Sequence, residues 1–88
     1  MEIVFKSKAQ RDKEHWKTSG NKQVLVKIEA LIKDILQHPE TGIGKPEQLK
    51  HELTGMWSRH INEKHRIIYE IVNDELHILS LKGHYYDK

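Results

Sequence analysis

From Val24 onward the apolar residues fall at Val24, Leu25, Ile28, Leu31, Ile32, Ile35 and Leu36, a repeat of three and four that lines one face of a helix. Lys27, Glu29, Lys33 and Asp34 take the other face, the usual composition of a solvated surface. Asn21 closes the turn cluster Thr18-Ser19-Gly20-Asn21 and is placed to cap the first turn. Pro39 ends the helix, because it has no N–H and disfavours helical geometry at His38. No other segment carries so strong a local signal.

The flanking segments have other patterns. Ile3-Val4-Phe5 is a β-branched and aromatic run that predicts a short strand, and Ser7 is suited to cap a helix from about Lys8 to Lys17. That helix is mostly polar, with Ala9 and Trp16 as its anchors, so it is expected to be half exposed. From Glu40 to about Leu53 the chain reads as a loop with Gly42, Gly44 and Pro46, long enough in a small domain to suggest a functional role. Met56 to Ile61, His65 to Val72 and Glu75 to Lys82 have strand composition, separated by Asn62-Glu63 and Asn73-Asp74. The order is βααβββ. It predicts an α+β fold with an antiparallel sheet of about four strands and both N-terminal helices on one face, leaving the other face for function.

Side chains alternate along a strand, so Trp57, Arg59 and Ile61 share one face while Met56, Ser58 and His60 share the other. In the next strand Arg66, Ile68, Glu70 and Val72 oppose His65, Ile67, Tyr69 and Ile71. A two-residue turn at Asn62-Glu63 sets Arg59 opposite Arg66, a like-charge pair that destabilises a sheet unless an anion such as a phosphate lies between them. A three-residue loop instead sets His60 opposite Arg66, which also suits a phosphate. In the second hairpin, a two-residue turn at Asn73-Asp74 pairs Leu81 with Arg66 and turns His84 to the other face. For His84 to join Arg66 the hairpin needs an odd loop, a bulge, or a strand that ends early with a turn at Gly83. A bulge or a curled tail is therefore expected.

Composition narrows the function classes. With 88 residues the chain is long enough for one domain, residues 1–88, with a small core. Its 36% hydrophobic and 32% charged residues, with no long apolar run, argue against membrane insertion. The first residues lack the apolar core and cleavage site of a signal peptide, so a cytoplasmic protein is expected. The absence of cysteine removes thiolate metal sites, disulfides and cysteine nucleophiles together. Seven histidines without a His-x-x-x-His spacing make a poor metal site, and neither a metal nor a cofactor is expected. A net charge of +2 is too small to imply a polyanionic partner by itself. Basic residues nevertheless concentrate between Gly44 and Arg66, at Lys45, Lys50, Arg59, Lys64 and Arg66.

Within that segment Gly44-Lys45-Pro46-Glu47-Gln48-Leu49-Lys50 sets an acid between two lysines. Glu47 is a candidate general base for a ribose 2′-hydroxyl, with Lys45 and Lys50 near the phosphate. Arg66 is a candidate stabiliser of a pentacoordinate phosphate through its fork of donors. His84 is a candidate general acid, and Tyr85 and Tyr86 are candidate base or phosphate contacts. Each also has a plainer reading: a surface acid, a strand arginine, a terminal histidine, aromatics sealing a sheet edge.

Gly42-Ile43-Gly44-Lys45-Pro46-Glu47-Gln48-Leu49-Lys50-His51, Leu53-Thr54-Gly55-Met56-Trp57-Ser58-Arg59, Glu63-Lys64-His65-Arg66-Ile67-Ile68-Tyr69 and His84-Tyr85, in this order and spacing, resemble the Txe/YoeB toxins of the RelE-like superfamily of bacterial toxin–antitoxin systems. The resemblance covers nearly the whole chain. It implies a ribosome-dependent mRNA endoribonuclease that cuts without metal in the decoding site of the 70S ribosome, leaving 2′,3′-cyclic phosphate and 5′-hydroxyl ends. It further implies neutralisation by a cognate antitoxin of the YefM/Axe kind, and leaves a homodimer open. The family roles fall on Glu47 as base, Arg66 as phosphate stabiliser and His84 as acid. Lys50 and Tyr85 are supporting contacts, and Lys45, Arg59 and His60 complete the expected substrate-binding set.

Two departures stand out. The family tends to carry two adjacent arginines where this chain has Arg59-His60, which makes that contact weaker or pH-dependent. The tail also continues past His84-Tyr85 into Tyr86-Asp87-Lys88. Two rival classes remain: a toxin of the same fold that blocks gyrase or the ribosome without cutting, and an inactive regulatory module.

Overall fold

The computed structural model describes residues 1–84. The chain begins with strand β1 (Glu2–Phe5), followed by helices α1 (Ser7–Ser19) and α2 (Lys22–Gln37). Strand β2 (Glu47–Gln48) and a single 3₁₀ turn (His51–Leu53) lead into strands β3 (Trp57–His60), β4 (Arg66–Val72) and β5 (Glu75–Ser80). The strands form one sheet in the order β1-β5-β4-β3-β2.

Helix α2 forms where the apolar repeat places it. Val24, Ile28, Leu31 and Ile35 are buried on one face, and the Asn21 side chain accepts a hydrogen bond from the Val24 N–H at 3.2 Å. Burying each of those four side chains contributes about 1.5–3 kcal/mol, against differences of a few tenths in intrinsic helix preference. Packing therefore holds this helix. Ser7 is not the cap of α1: the cap position falls on Lys6, with no side-chain hydrogen bond, and Ser7 opens the first turn. The helix runs two residues beyond Lys17 and ends at Gly20 in a left-handed conformation (φ 70°). Ala9 and Trp16 are its buried apolar anchors, joined by Asp12.

The sheet differs from the expected antiparallel four in two ways. It has five strands, and β1 runs parallel to β5, with Ile3 beside Leu76 and Phe5 beside Ile78. The fifth strand is β2, formed inside the expected loop, where Glu47 pairs with Ser58 and Gln48 with Trp57. Trp16, Ile28, Leu31, Ile67, Tyr69 and Ile78 belong to the core between helices and sheet.

Both hairpins decide the questions left by strand parity. Residues 62–64 form the three-residue loop, so His60 stands opposite Arg66 and Arg59 opposite Ile67. Asn62 Oδ1 accepts from the N–H groups of Lys64 (2.9 Å) and His65 (2.8 Å), which fixes this turn. Asn73-Asp74 is a two-residue turn with both residues at positive φ, as the strand-matching type I′ turn requires. Pairing then slips from Tyr69↔Ile78 to Ile68↔Ser80, leaving Leu79 without a partner. The bulge and the early end both occur: β5 stops at Ser80 and the backbone turns at Gly83 (φ 84°).

Candidate active site

Arg59 is fully buried and its guanidinium closes the segment between α2 and β2. Its Nη1 donates to Asp34 Oδ2 at 2.5 Å and to the Ile43 carbonyl at 3.1 Å. Nη2 donates to the carbonyls of His38 and Thr41, the latter at 2.8 Å, and Nε donates to the Tyr69 hydroxyl at 3.1 Å. Tyr69 in turn donates to the Pro39 carbonyl at 2.6 Å. These five contacts match the five N–H donors of an arginine. The expectation that Arg59 contacts substrate phosphate is therefore corrected, since it lies on the helix side of the sheet with its donors used. Asp34, read as part of a solvated face, is its counterion. The hydrogen bond from Arg59 and then that from the Ile43 N–H hold the Asp34 carboxyl below the usual carboxylate range.

Two glycines make this closure possible. A Cβ at Gly42 would lie 2.0 Å from Asp34 Oδ2, and one at Gly44 would lie 2.7 Å from Leu31 Cδ2 and 3.1 Å from Arg59 Cβ. Both residues have positive φ (115° and 82°), so neither position tolerates a side chain. The Gly44 carbonyl then accepts from the His60 N–H at 2.6 Å. The chain leaves this point with Lys45 and Glu47 exposed beside β3.

Paired residues of an antiparallel ladder project to the same face. Glu47 opposite Ser58, and His60 opposite Arg66, therefore share the sheet face away from the helices. Two strand spacings place Glu47 roughly 10 Å from the Arg66 strand, a span bridged by a carboxylate, a phosphodiester and a guanidinium. Half-buried His60 lies between them. Burial first, then the positive charges of Arg66 and Lys45, hold its pKa below the usual histidine value, while Glu47 pulls the other way and His84 adds a small lowering effect. Lys45, Glu47, His60, Arg66 and His84 are thus brought within electrostatic reach of one ring. Arg66 is 9% exposed, and its Nη1 donates to the carbonyls of Asn62, Glu63 and His65 at 2.8–3.2 Å. Among the described residues its Nε and Nη2 have no acceptor, which leaves that edge of the fork for an anion.

Lys50 is exposed at the start of the 3₁₀ turn, on the same segment as Glu47, and its side chain makes no hydrogen bond or ion pair among the described residues. Tyr85, named above as a supporting contact, lies outside the described residues, as do Tyr86, Asp87 and Lys88. Among the described residues no group of three or more histidine, aspartate or glutamate side chains is arranged to hold a metal ion. No helix there is long and apolar enough to cross a membrane.

Residues 5–85 match the family of YoeB-like toxins of bacterial type II toxin–antitoxin systems. The chain belongs to that family. Toxin YoeB of Escherichia coli K12 is 40% identical over 85 residues, covering 97% of this chain and all of the relative. A YoeB/ParE toxin from Agrobacterium tumefaciens superimposes with a TM-score of 0.93 at 32% identity, covering 97% of this chain and 100% of that one. The YoeB of a YoeB–YefM complex from Staphylococcus aureus superimposes with a TM-score of 0.87 at 40% identity, covering 97% and 98%.

This YoeB-family chain also holds its C-terminal segment by residues of α1 and by His65, to which the sequence assigns no such role. Trp16 Nε1 donates to the Leu81 carbonyl at 2.8 Å, and Asp12 Oδ2 accepts from the Leu81 N–H at 3.0 Å. Lys8 bridges Asp12, Ser80 and the Lys82 carbonyl at 2.7–3.0 Å. His65 Nδ1 accepts from the Gly83 N–H at 2.9 Å, and the Arg66 N–H donates to the Gly83 carbonyl at 2.9 Å. His84 follows directly. The only hint in the sequence was Asp12 and Trp16 one helical turn apart.

Proposed function

We propose that this toxin is an mRNA endoribonuclease that works in the decoding site of the ribosome, without a metal ion. The observation that carries the reading is the convergence of Glu47, Arg66 and His84 around His60, from three segments far apart in the chain. The Glu47 carboxylate takes the proton of a ribose 2′-hydroxyl. The 2′-oxygen attacks the adjacent phosphorus, and Arg66 stabilises the extra negative charge with its outer guanidinium edge. The P–O5′ bond breaks and His84 gives its proton to the departing oxygen, so the products are a 2′,3′-cyclic phosphate and a 5′-hydroxyl. Lys45 and Lys50 hold flanking phosphates, and Tyr85 supports the reacting group. The ribosome supplies part of the geometry, in keeping with a net charge of only +2. This activity belongs in the cytoplasm, with a YefM-like antitoxin as the neutralising partner.

Primer extension on a defined mRNA, with and without ribosomes in a purified translation system, tests the proposal. Wild-type protein should give ribosome-dependent cuts, and Glu47→Ala, Arg66→Ala and His84→Ala should each lower cleavage by about 10²–10⁴-fold while folding normally. Translation arrest without cuts would make the protein a blocking toxin instead. Unchanged arrest by all three variants would remove the nuclease reading.

A further inference from the structure

We propose that His65 is a positioning residue for His84, acting as a pH-sensitive latch on the C-terminal segment through its hydrogen bond from Gly83. This rests on the nuclease reading only for its consequence, since the latch itself is a feature of the fold.

The segment from Leu81 to Gly83 is fastened at both ends. Trp16 and Asp12 hold the backbone at Leu81, as described above. The second fastening is at Gly83, where the carbonyl accepts from Arg66 N–H and the N–H donates to His65 Nδ1. At Gly83 only the last of these bonds is accepted by a side chain, the His65 imidazole, and that side chain titrates at the acceptor atom itself. An imidazole accepts at Nδ1 only when neutral with its proton on Nε2, and protonation turns the acceptor into a second donor facing the Gly83 N–H.

The ring is set for this role. It stands edge-on to Trp16 at 4.9 Å between centroids and 78° between planes, so it cannot swing away without losing that contact. The charged and titratable groups acting on it are Lys82 from the tail, Lys64 and Arg66 beside it in the chain, and His15 from α1. All oppose a positive charge on the ring. Burial first, then these groups, lower the His65 pKa from the usual value. The ring is therefore neutral near pH 7 and the latch closed, and acidification through the lowered pKa opens it. Gly83 lies one bond before His84, so opening removes the proton donor from the reacting phosphate while Glu47 and Arg66 stay in place. A displacement of about 1 Å can cost about 10²-fold in rate.

Two readouts test the latch, on the wild-type chain and on His65→Asn and His65→Leu. Nuclear magnetic resonance follows His65 protonation through its ring nitrogens, and solvent exchange of the Gly83 amide, across pH 4.5–7.5. Cleavage in the ribosomal assay is measured over the same range. Gly83 should be protected at neutral pH and lose protection in step with His65 protonation. His65→Leu, with no acceptor, should lose protection at every pH and cleave about 10²-fold more slowly at neutral pH. His65→Asn places an amide oxygen where Nδ1 stood, and should restore most of the rate and remove the His65-linked acid limb.

Gly83 protection that ignores His65 protonation would overturn the proposal. So would equal loss of rate in both variants with the wild-type pH profile unchanged, which marks a structural role. If neither variant folds, the wild-type titration alone decides. If the wild type cuts no RNA, the nuclease reading fails while the Gly83 exchange measurement still tests the latch.

Discussion

Arg59→Lys separates a structural arginine from a substrate contact. Lysine keeps the charge beside Asp34 but has three donors on one nitrogen, against the five acceptors that Arg59 engages. At least two acceptors are left without a partner. An unsatisfied buried acceptor costs about 1–3 kcal/mol, and the low end applies because His38, Thr41 and Ile43 belong to a surface segment. The expected loss is about 2 kcal/mol, rising to about 3–5 kcal/mol for Arg59→Ala, which orphans three carbonyls, a phenol and the Asp34 carboxylate. A chain of 88 residues has about 4–13 kcal/mol in all. The lysine variant should fold and the alanine variant should be marginal. Urea unfolding followed by tryptophan fluorescence reads the difference as a midpoint lowered by about 1–2 M for Arg59→Lys.

The same pair has an acid signature. Asp34 is held below its ordinary pKa, so its contribution to stability is present above the unfolded value of 3.8 and is lost as pH falls through the lower folded value. Replacing Arg59 should flatten that acid slope. A phosphate-contacting arginine predicts the opposite pattern: unchanged midpoint, unchanged acid slope, and weaker RNA binding with a smaller salt dependence. That result would refute the assignment of Arg59 to the fold.

Two further outcomes follow from the site. Gly44→Ala should destabilise by about 2–4 kcal/mol, combining a left-handed residue with overpacking against Leu31 and Arg59; urea unfolding measures it, and wild-type stability would contradict the close approach. His60, with its pKa lowered chiefly by burial and Arg66, is neutral at pH 7 and gains charge at a lower pH than an ordinary histidine. Binding of a short single-stranded RNA should therefore tighten as pH falls through that value, the salt slope growing by about 0.7 per added phosphate contact. His60→Gln should show a smaller pH dependence over the same range.

The legible parts of the chain were those whose signal is local. The α2 stripe, the Asn21 cap, the stop at Pro39 and the short turn at Asn73-Asp74 each depend on residues within one or two turns of one another. The two extra sheet features were not legible. A two-residue strand such as β2 has no period to detect, and β1 finds its parallel partner more than 70 positions away. Arg59 shows a different failure. Strand alternation set it with Trp57 and Ile61 on one face, and both of those turn toward the core. Its charge suggested solvent, while the carboxylate that neutralises it sits 25 positions upstream on a face composed like a surface. Parity held where composition misled. The clustering of Lys45, Glu47, His60, Arg66 and His84 likewise depended on one loop length and one bulge, which spacing left open.

Adjacent residues with opposite fates explain how so small a sheet builds the site. On β3, Arg59 points to the helix side and holds the loop that delivers Lys45 and Glu47, while His60 points into the cluster those residues form. At the start of β4 the arrangement repeats: His65 packs on Trp16 and holds Gly83, while Arg66 faces the cluster. Each of the two pairs supplies one residue that fastens a chain segment and one that meets whatever that segment presents. The turn at 62–64 keeps the pairs in register, with Arg66 Nη1 on the carbonyls of Asn62 and Glu63. Glu47 arrives from one side of this hairpin and His84 from the other. The hairpin therefore sets the distance between the proposed base and the proposed acid, and a one-residue change in its loop would take Arg66 out of its pairing with His60 and onto the opposite face from Glu47 and His60.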